Sequence, residues 1–293
     1  MRAHEILFES DYGDKKSRSK PLTVDQFNKL RPKIEIALQK AEQGVKIYRG
    51  VRISRDRYDV TMMYTNPTRS ERVSANTSNE LTLLISRILP SWQNWPKRSR
   101  SLICSGDYDY AEGYSSIGKP FIVLPVGNPN IGVVSDKDFW DGFNSILPSP
   151  SVFNDLFRQF LKTFNEVFER NILIPRNNID VELLKSELKV IDHAVVAERE
   201  KMLEVLKEYK DLLDTSYSIW SQDYPIMVKM LASGDAIKSI DKYYNPTSNG
   251  FKLVPLSQLE ANNNELWFSA PAVLIHPDQF DELIKTKESP NEN

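Results

Sequence analysis

The chain has 293 residues, 40% hydrophobic and 27% charged, long enough to bury a sizeable core as one elaborated domain or two small ones. A net charge of -2 and a pI near 6.0 exclude a global field that would gather nucleic acid or anionic lipid, so any such contact is local. The single cysteine, Cys104, excludes an intrachain disulfide and suits a reducing, cytoplasmic compartment, and no apolar run approaches the roughly 20 residues of a membrane span.

The opening MRAHEILFES carries too short an apolar patch for a signal-peptide core. Three dispersed histidines and one cysteine argue against a structural zinc site, and no metal is expected. Residues 11–20 (DYGDKKSRSK) read as a polar connector, with nucleic-acid contact as the sharper alternative. Thr23 is placed to cap a helix over Val24–Gln43, with Phe27, Leu30, Ile34 and Leu38 at helical spacing. Pro32 inside it removes a donor and crowds the preceding turn, so a break is predicted there. VKIYRGVRI (45–53) reads as a strand, and DVTMMYT (59–65) as its pairing partner.

A turn-forming stretch at 65–79 leads to a helix capped by Thr77 or Ser78 and ending at Pro90. RSLICS (100–105), PFIVLPV (120–126) and IGVV (131–134) read as strands. After Pro150 the character turns helical. Phe153, Phe157, Phe160, Phe164 and Phe168 form a core-facing stripe, and residues 180–213 form one long helical pattern. A shorter helix follows at Tyr224–Ala232. GFKLVPL (250–256), an Asn-rich turn and ELWFSAPAVLI (265–275) read as strand, turn, strand, before a helix at Asp278–Lys287. The predicted layout is an α+β fold with a split β-sheet core. It has an N-terminal segment (1–22), a first catalytic part (23–148), a helical insertion (149–244), a second catalytic part (245–288) and a tail (289–293).

Three places carry chemistry. Arg49 sits on a strand, with Gly50 after it. The arginine offers a planar donor fork suited to phosphate, and the glycine permits close backbone approach to a ligand. Cys104-Ser105-Gly106 ends a strand and feeds a short helix with Ala111 and Tyr114. Glu265 opens a strand of otherwise apolar residues, a position a solvated strand end would equally take. The basic run Lys97-Arg98-Ser99-Arg100 reads as a solvated charged edge or as a phosphate contact. Trp92 and Trp95 read as packing residues, Asn76, Thr77 and Ser78 as helix capping, and Asp107/Asp109 and Asp136/Asp138 as ordinary turn carboxylates.

The order of these pieces resembles the arginine–serine–glutamate class of ADP-ribosyltransferases. In that family an aromatic-Arg-Gly strand comes first, then a Ser-Thr-Ser-type strand end with an Ala-aromatic helix, then a Glu-x-Glu or Gln-x-Glu turn. Tyr48-Arg49-Gly50 matches the first; Ile103-Cys104-Ser105-Gly106, with Ala111 and Tyr114, matches the second loosely; Asn263-Asn264-Glu265 matches the third with Asn in first place. The resemblance spans residues 45–135 and 245–275, and RSERVSANTSNELTLLI is also similar to bacteriophage proteins carrying this kind of domain.

The resemblance implies a mono-ADP-ribosyltransferase that uses NAD as substrate, releases nicotinamide and modifies a protein or nucleic-acid acceptor in the cytoplasm, as a phage effector or toxin. Glu265, Arg49 and Ser105 would be catalytic. Arg49, Gly50, Ser105 and Tyr114 would bind NAD, with Tyr108 and Tyr110 as other candidates for stacking on nicotinamide. Asn263 would face the acceptor; lacking a carboxylate, it orients but accepts no proton. A domain of this fold without turnover, used for structure or partner binding, is the alternative.

Overall fold

The computed structural model describes residues 19–51, 60–69, 80–115, 118–143, 150–170, 181–216 and 223–285. In chain order, β1 (Ser19–Pro21) leads into α1 (Val24–Leu30), whose N-cap Thr23 exchanges reciprocal hydrogen bonds with Gln26. Pro32 breaks the predicted helix as expected, into a 3-10 turn (Arg31–Lys33) and α2 (Glu35–Glu42). Then come β2 (Tyr48–Arg49), β3 (Met62–Thr65), the short α3 (Glu80–Leu83) and a π-helical turn (Leu84–Ile88). β4 (Leu102–Ser105), α4 (Tyr108–Glu112), β5 (Phe121–Pro125) and β6 (Asn130–Val133) follow. Five helices come next: α5 (Pro150–Val167), α6 (Val181–Ala197), α7 (Arg199–Ser216), α8 (Tyr224–Leu231) and α9 (Ala236–Tyr243). The chain closes with β7 (Lys252–Pro255), β8 (Glu265–Phe268), β9 (Ala272–Ile275) and α10 (Pro277–Lys285).

The fold is α+β. Among the described residues nine strands form one antiparallel sheet in the order β1-β3-β9-β5-β2-β4-β8-β6-β7, so the early and late β segments do share a sheet. Several sequence expectations change. β3 pairs with β1 and β9 rather than with the 45–53 segment, because β4 and β5 already occupy both edges of β2. ELWFSAPAVLI is two strands, split at Ser269–Pro271, where proline supplies no ladder donor. β8 joins β4 and β6, while β9 joins β3 and β5. The predicted long helix over 180–213 breaks at Glu198 with no proline or glycine to mark the place. β1 and α9 were not predicted as elements, although Asp235 caps α9 through Lys238. The proposed caps Asn76, Thr77 and Ser78 lie outside the described residues.

The chain clusters into two compact units. The first comprises residues 1–75, 95–139 and 251–293 and holds the sheet; the second comprises 76–94 and 140–250 and is helical. The helical unit thus takes in residues 76–94, which the predicted layout put in the first catalytic part. In the sheet unit, Phe27, Ile34 and Leu38 from the N-terminal helices pack with Ile122, Leu124, Leu266, Phe268, Leu274 and Phe280. In the helical unit, the phenylalanine stripe of α5 is buried along its length. Phe153 stacks with Phe157, Phe160 meets Tyr209 edge-on, and Phe164 stacks on Phe168 at 4.4 Å.

Candidate functional site

The strands β5, β2, β4 and β8 lie side by side and bring the three sequence-selected positions onto neighbouring strands. Ser105 directly faces Glu265 across the β4–β8 ladder, and Tyr48 faces Ser105 across β2–β4. The Arg49 guanidinium is buried and donates through Nη1 to the carbonyl of Ile103, two residues before Ser105. Ser105 is buried too, and its Oγ accepts the Asp107 amide at 3.0 Å, fixing the turn into α4. Asp107 in turn caps α4 by accepting from the Tyr110 amide at 3.1 Å.

Two glycines make this packing possible. A Cβ on Gly50 would stand 2.3 Å from the Ala111 carbonyl and 2.7 Å from the Tyr114 Cβ, so the close approach Gly50 permits is to α4 and its C-terminal turn. A Cβ on Gly106 would lie 2.0 Å from the Asn262 carbonyl. Gly106 also donates its amide to Asn264 at 2.9 Å, so the 262–264 turn is seated on the end of β4. Asn264 Nδ2 ties the same turn to the Val134 carbonyl at 2.8 Å. Asn263 is exposed on it. With Gly44, Lys46, Tyr48, Gly106, Ala261 and Asn262, it lines a cavity of about 340 Å³.

Glu265 is not a solvated strand end. It is 1% exposed, and both carboxylate oxygens are engaged: Oε1 with Arg98 Nη1 at 2.5 Å, and Oε2 with the Phe139 amide at 3.2 Å. Ser105 therefore faces Glu265 without being its hydrogen-bond partner. Arg98 is 3% exposed, its guanidinium carbon 3.6 Å from the centre of the Phe139 ring and 5.5 Å from that of Trp267. Within the basic run Arg98 turns inward onto Glu265, whereas Lys97 and Arg100 are exposed. Trp95 stacks on Trp267 at 5.7 Å in this unit, and in the helical unit Trp92 is buried and donates to the Tyr244 carbonyl.

A second buried carboxylate went unread in the sequence. Asp138, set aside as a turn residue, is 6% exposed and accepts the Tyr110 hydroxyl at 3.2 Å. Tyr114, one of the three candidates for stacking on nicotinamide, is buried, meets the Tyr110 ring edge-on at 5.4 Å and donates its hydroxyl to that of Tyr110 at 3.4 Å. Burial, the bond with Tyr114 and the charges of Asp138 and Glu265 all push the Tyr110 phenol far up. Burial and the same two carboxylates likewise raise Tyr114. Tyr48 is raised by burial and by Tyr108, whose ring it meets edge-on at 5.4 Å. The signal that could have singled out Asp138 was its place five residues after the end of β6 and directly before the aromatic Phe139.

Among the described residues no cluster of His, Cys, Asp or Glu is arranged to hold a metal ion, and no helix is long and apolar enough to cross a membrane. Comparison with protein-family models, with curated proteins and with solved structures found no match to this chain.

Proposed function

We propose that this chain is an NAD-dependent mono-ADP-ribosyltransferase, moving ADP-ribose to a macromolecular acceptor and releasing nicotinamide. The observation that carries the reading is the convergence of Arg49, Ser105 and Glu265 on three adjacent strands, with Ser105 and Glu265 directly opposed. Residues far apart in sequence, in the family's order, are thereby gathered at one end of a sheet. Cleaving the nicotinamide–ribose bond passes through an oxocarbenium-like state, as glycoside hydrolysis does, and a carboxylate beside the ribose stabilises its charge. Glu265 takes that part. Arg49 holds the pyrophosphate, Gly50 and Tyr114 border the nicotinamide, and Ser105 organises the ribose side. Asn263, exposed at the cavity wall, faces the acceptor, a protein or nucleic acid of the cytoplasm met by a phage effector or toxin.

The burial of Glu265 under Arg98 favours a second reading, in which the same fold binds a partner or NAD without turnover. On the transferase reading, NAD must exchange for the Arg98 or Phe139 contact when it reaches Glu265. The deciding measurement is nicotinamide release from NAD, with label transfer into a bacterial lysate, for wild type and Glu265→Gln. Release that drops on the order of 10²–10³-fold in the variant is the expected result, by analogy with other electrostatic stabilisers. NAD binding without release supports the second reading, and equal release from both proteins sinks the assignment of Glu265.

A further inference from the structure

The cavity beside Asn263 collects polar side chains that the fold itself leaves unengaged. Lys46, Tyr48 and Asn263 all line it. Among the described residues, no hydrogen bond or ion pair holds the Lys46 ammonium, the Tyr48 hydroxyl or the Asn263 amide. Asn262, on the same wall, is committed to the Glu260 carbonyl and the Asn264 amide. Lys46 is half-buried and is the only charged side chain among the described lining residues. Its ammonium lies over the Phe280 ring at 5.5 Å, a weaker hold than a charge-assisted hydrogen bond. At about 340 Å³ the space falls at the low end of ligand pockets, fit for one small group rather than a whole dinucleotide. Tyr48 faces Ser105, and Asn263 stands two residues before Glu265, so the cavity adjoins the strands of the proposed catalytic residues.

We infer that this cavity is the acceptor subsite and that Lys46, Tyr48 and Asn263 select a carboxylate, the aspartate or glutamate side chain of a target protein. This rests on the transferase reading above. Such groups ionise near about 4, so at neutral pH the acceptor arrives as a ready nucleophile. In the step, a carboxylate oxygen of the acceptor bonds to ribose C1′ while the bond from C1′ to the nicotinamide nitrogen breaks. Its electron pair leaves with neutral nicotinamide. The product is an ester, and no proton moves. Asn263, which accepts no proton, is then no defect in the site.

Each lining group suits that ligand. The lysine ammonium is a compact charge that pairs with a single carboxylate. Burial, and Tyr108 after it, push the Tyr48 phenol up, so it keeps its proton and donates to an anion. Asn263 adds an amide donor from an exposed position on the turn seated against Gly106. A guanidinium acceptor would meet like charge at Lys46. A nucleic-acid backbone asks for several cations, and exposed carboxylates flank the cavity instead. Glu42 lies two residues before Gly44, and Glu260 directly before Ala261. Lys40, close by, gives its ammonium to the Leu259 carbonyl at 2.9 Å.

The test gives the full chain biotinylated NAD with a glutamate-rich peptide, an arginine-rich peptide or a bacterial lysate, and follows nicotinamide release in the same reactions. Wild type is expected to label the glutamate-rich peptide on the order of 10-fold or more over the arginine-rich one, with the label removed by neutral hydroxylamine as an ester requires. Lys46→Met keeps the aliphatic stem. It is expected to lower labelling of the glutamate-rich peptide, per nicotinamide released, by roughly 10–100-fold, the worth of one hydrogen bond to a charged group. Lys46→Arg should retain most of the labelling, and Lys46→Glu should turn the preference toward the arginine-rich peptide. A structural role for Lys46 would lower labelling of both peptides alike and leave the preference in place, which overturns the subsite. Release without hydroxylamine-sensitive label in any acceptor overturns it too, as does label found only in nuclease-sensitive material of the lysate. Wild type that releases no nicotinamide sinks the transferase reading and the subsite with it.

Discussion

The sheet unit and the helical unit solve burial in opposite ways. In the helical unit, the described side chains of the interior are almost wholly apolar or aromatic: the α5 stripe, Leu184, Leu188, Ile191, Met227 and Met230, with Thr163 and Ser86 as buried polar members. The sheet unit contains all four buried charged side chains among the described residues, Arg49, Arg98, Asp138 and Glu265. Burying a charge costs several kcal/mol unless it is paired, and an apolar replacement is often as stable. Among the described residues, then, the buried charges all belong to the sheet unit, a distribution in keeping with the site proposed there.

The comparison breaks most sharply at Arg98. Arg98→Ala leaves Glu265 buried and uncompensated and is expected to cost about 3–5 kcal/mol in denaturant unfolding. Replacing both partners, Arg98→Met with Glu265→Leu, is expected to recover most of that stability while abolishing nicotinamide release. If the double variant is as unstable as the single one, the pair is there for the fold. In the helical unit, a change of similar chemistry should pass almost unnoticed: Leu188→Met, fully buried on α6, is expected to cost under about 1.5 kcal/mol by the same measurement.

The smallest expected effect lies at the rim of the sheet unit. Asp107 is held below its ordinary value of 3.8, first by the Tyr110 amide and then by Lys137. A carboxyl depressed in the folded state stabilises above its unfolded value and loses that contribution as pH falls through the folded one. Asp107→Ala is therefore expected to cost about 1 kcal/mol at neutral pH, the usual worth of an N-cap. The gap between variant and wild type should close in acid below the ordinary aspartate value, as read by thermal melts across pH.

Much of this architecture was legible in the residues. The Thr23 cap, the Pro32 break and the phenylalanine spacing of α5 are local signals, and local signals survive folding. The strands bearing Arg49, Ser105 and Glu265 were readable for the same reason. The partners of β2 were not, because β5 and β4 take its edges from far along the chain. Arg98 and Asp138 escaped for a related reason. Each sits among polar neighbours, and residues remote in sequence lie against it, Phe139 and Trp267 over Arg98, Tyr110 beside Asp138. The Lys97–Arg100 run gives no local sign that Arg98 is the member that turns inward.

The strand order also governs how the protein comes into being. β8 lies between β4 and β6, and β9 between β3 and β5, yet both are made from residues after 264. A ribosome adding about 5–20 residues per second therefore completes every residue of the helical unit before the sheet can close. Such long-range pairing slows the final closure relative to locally connected helices. Glu265 arrives with β8, so a nascent chain that has not reached it lacks both the Arg98–Glu265 pair and the strand that faces Ser105.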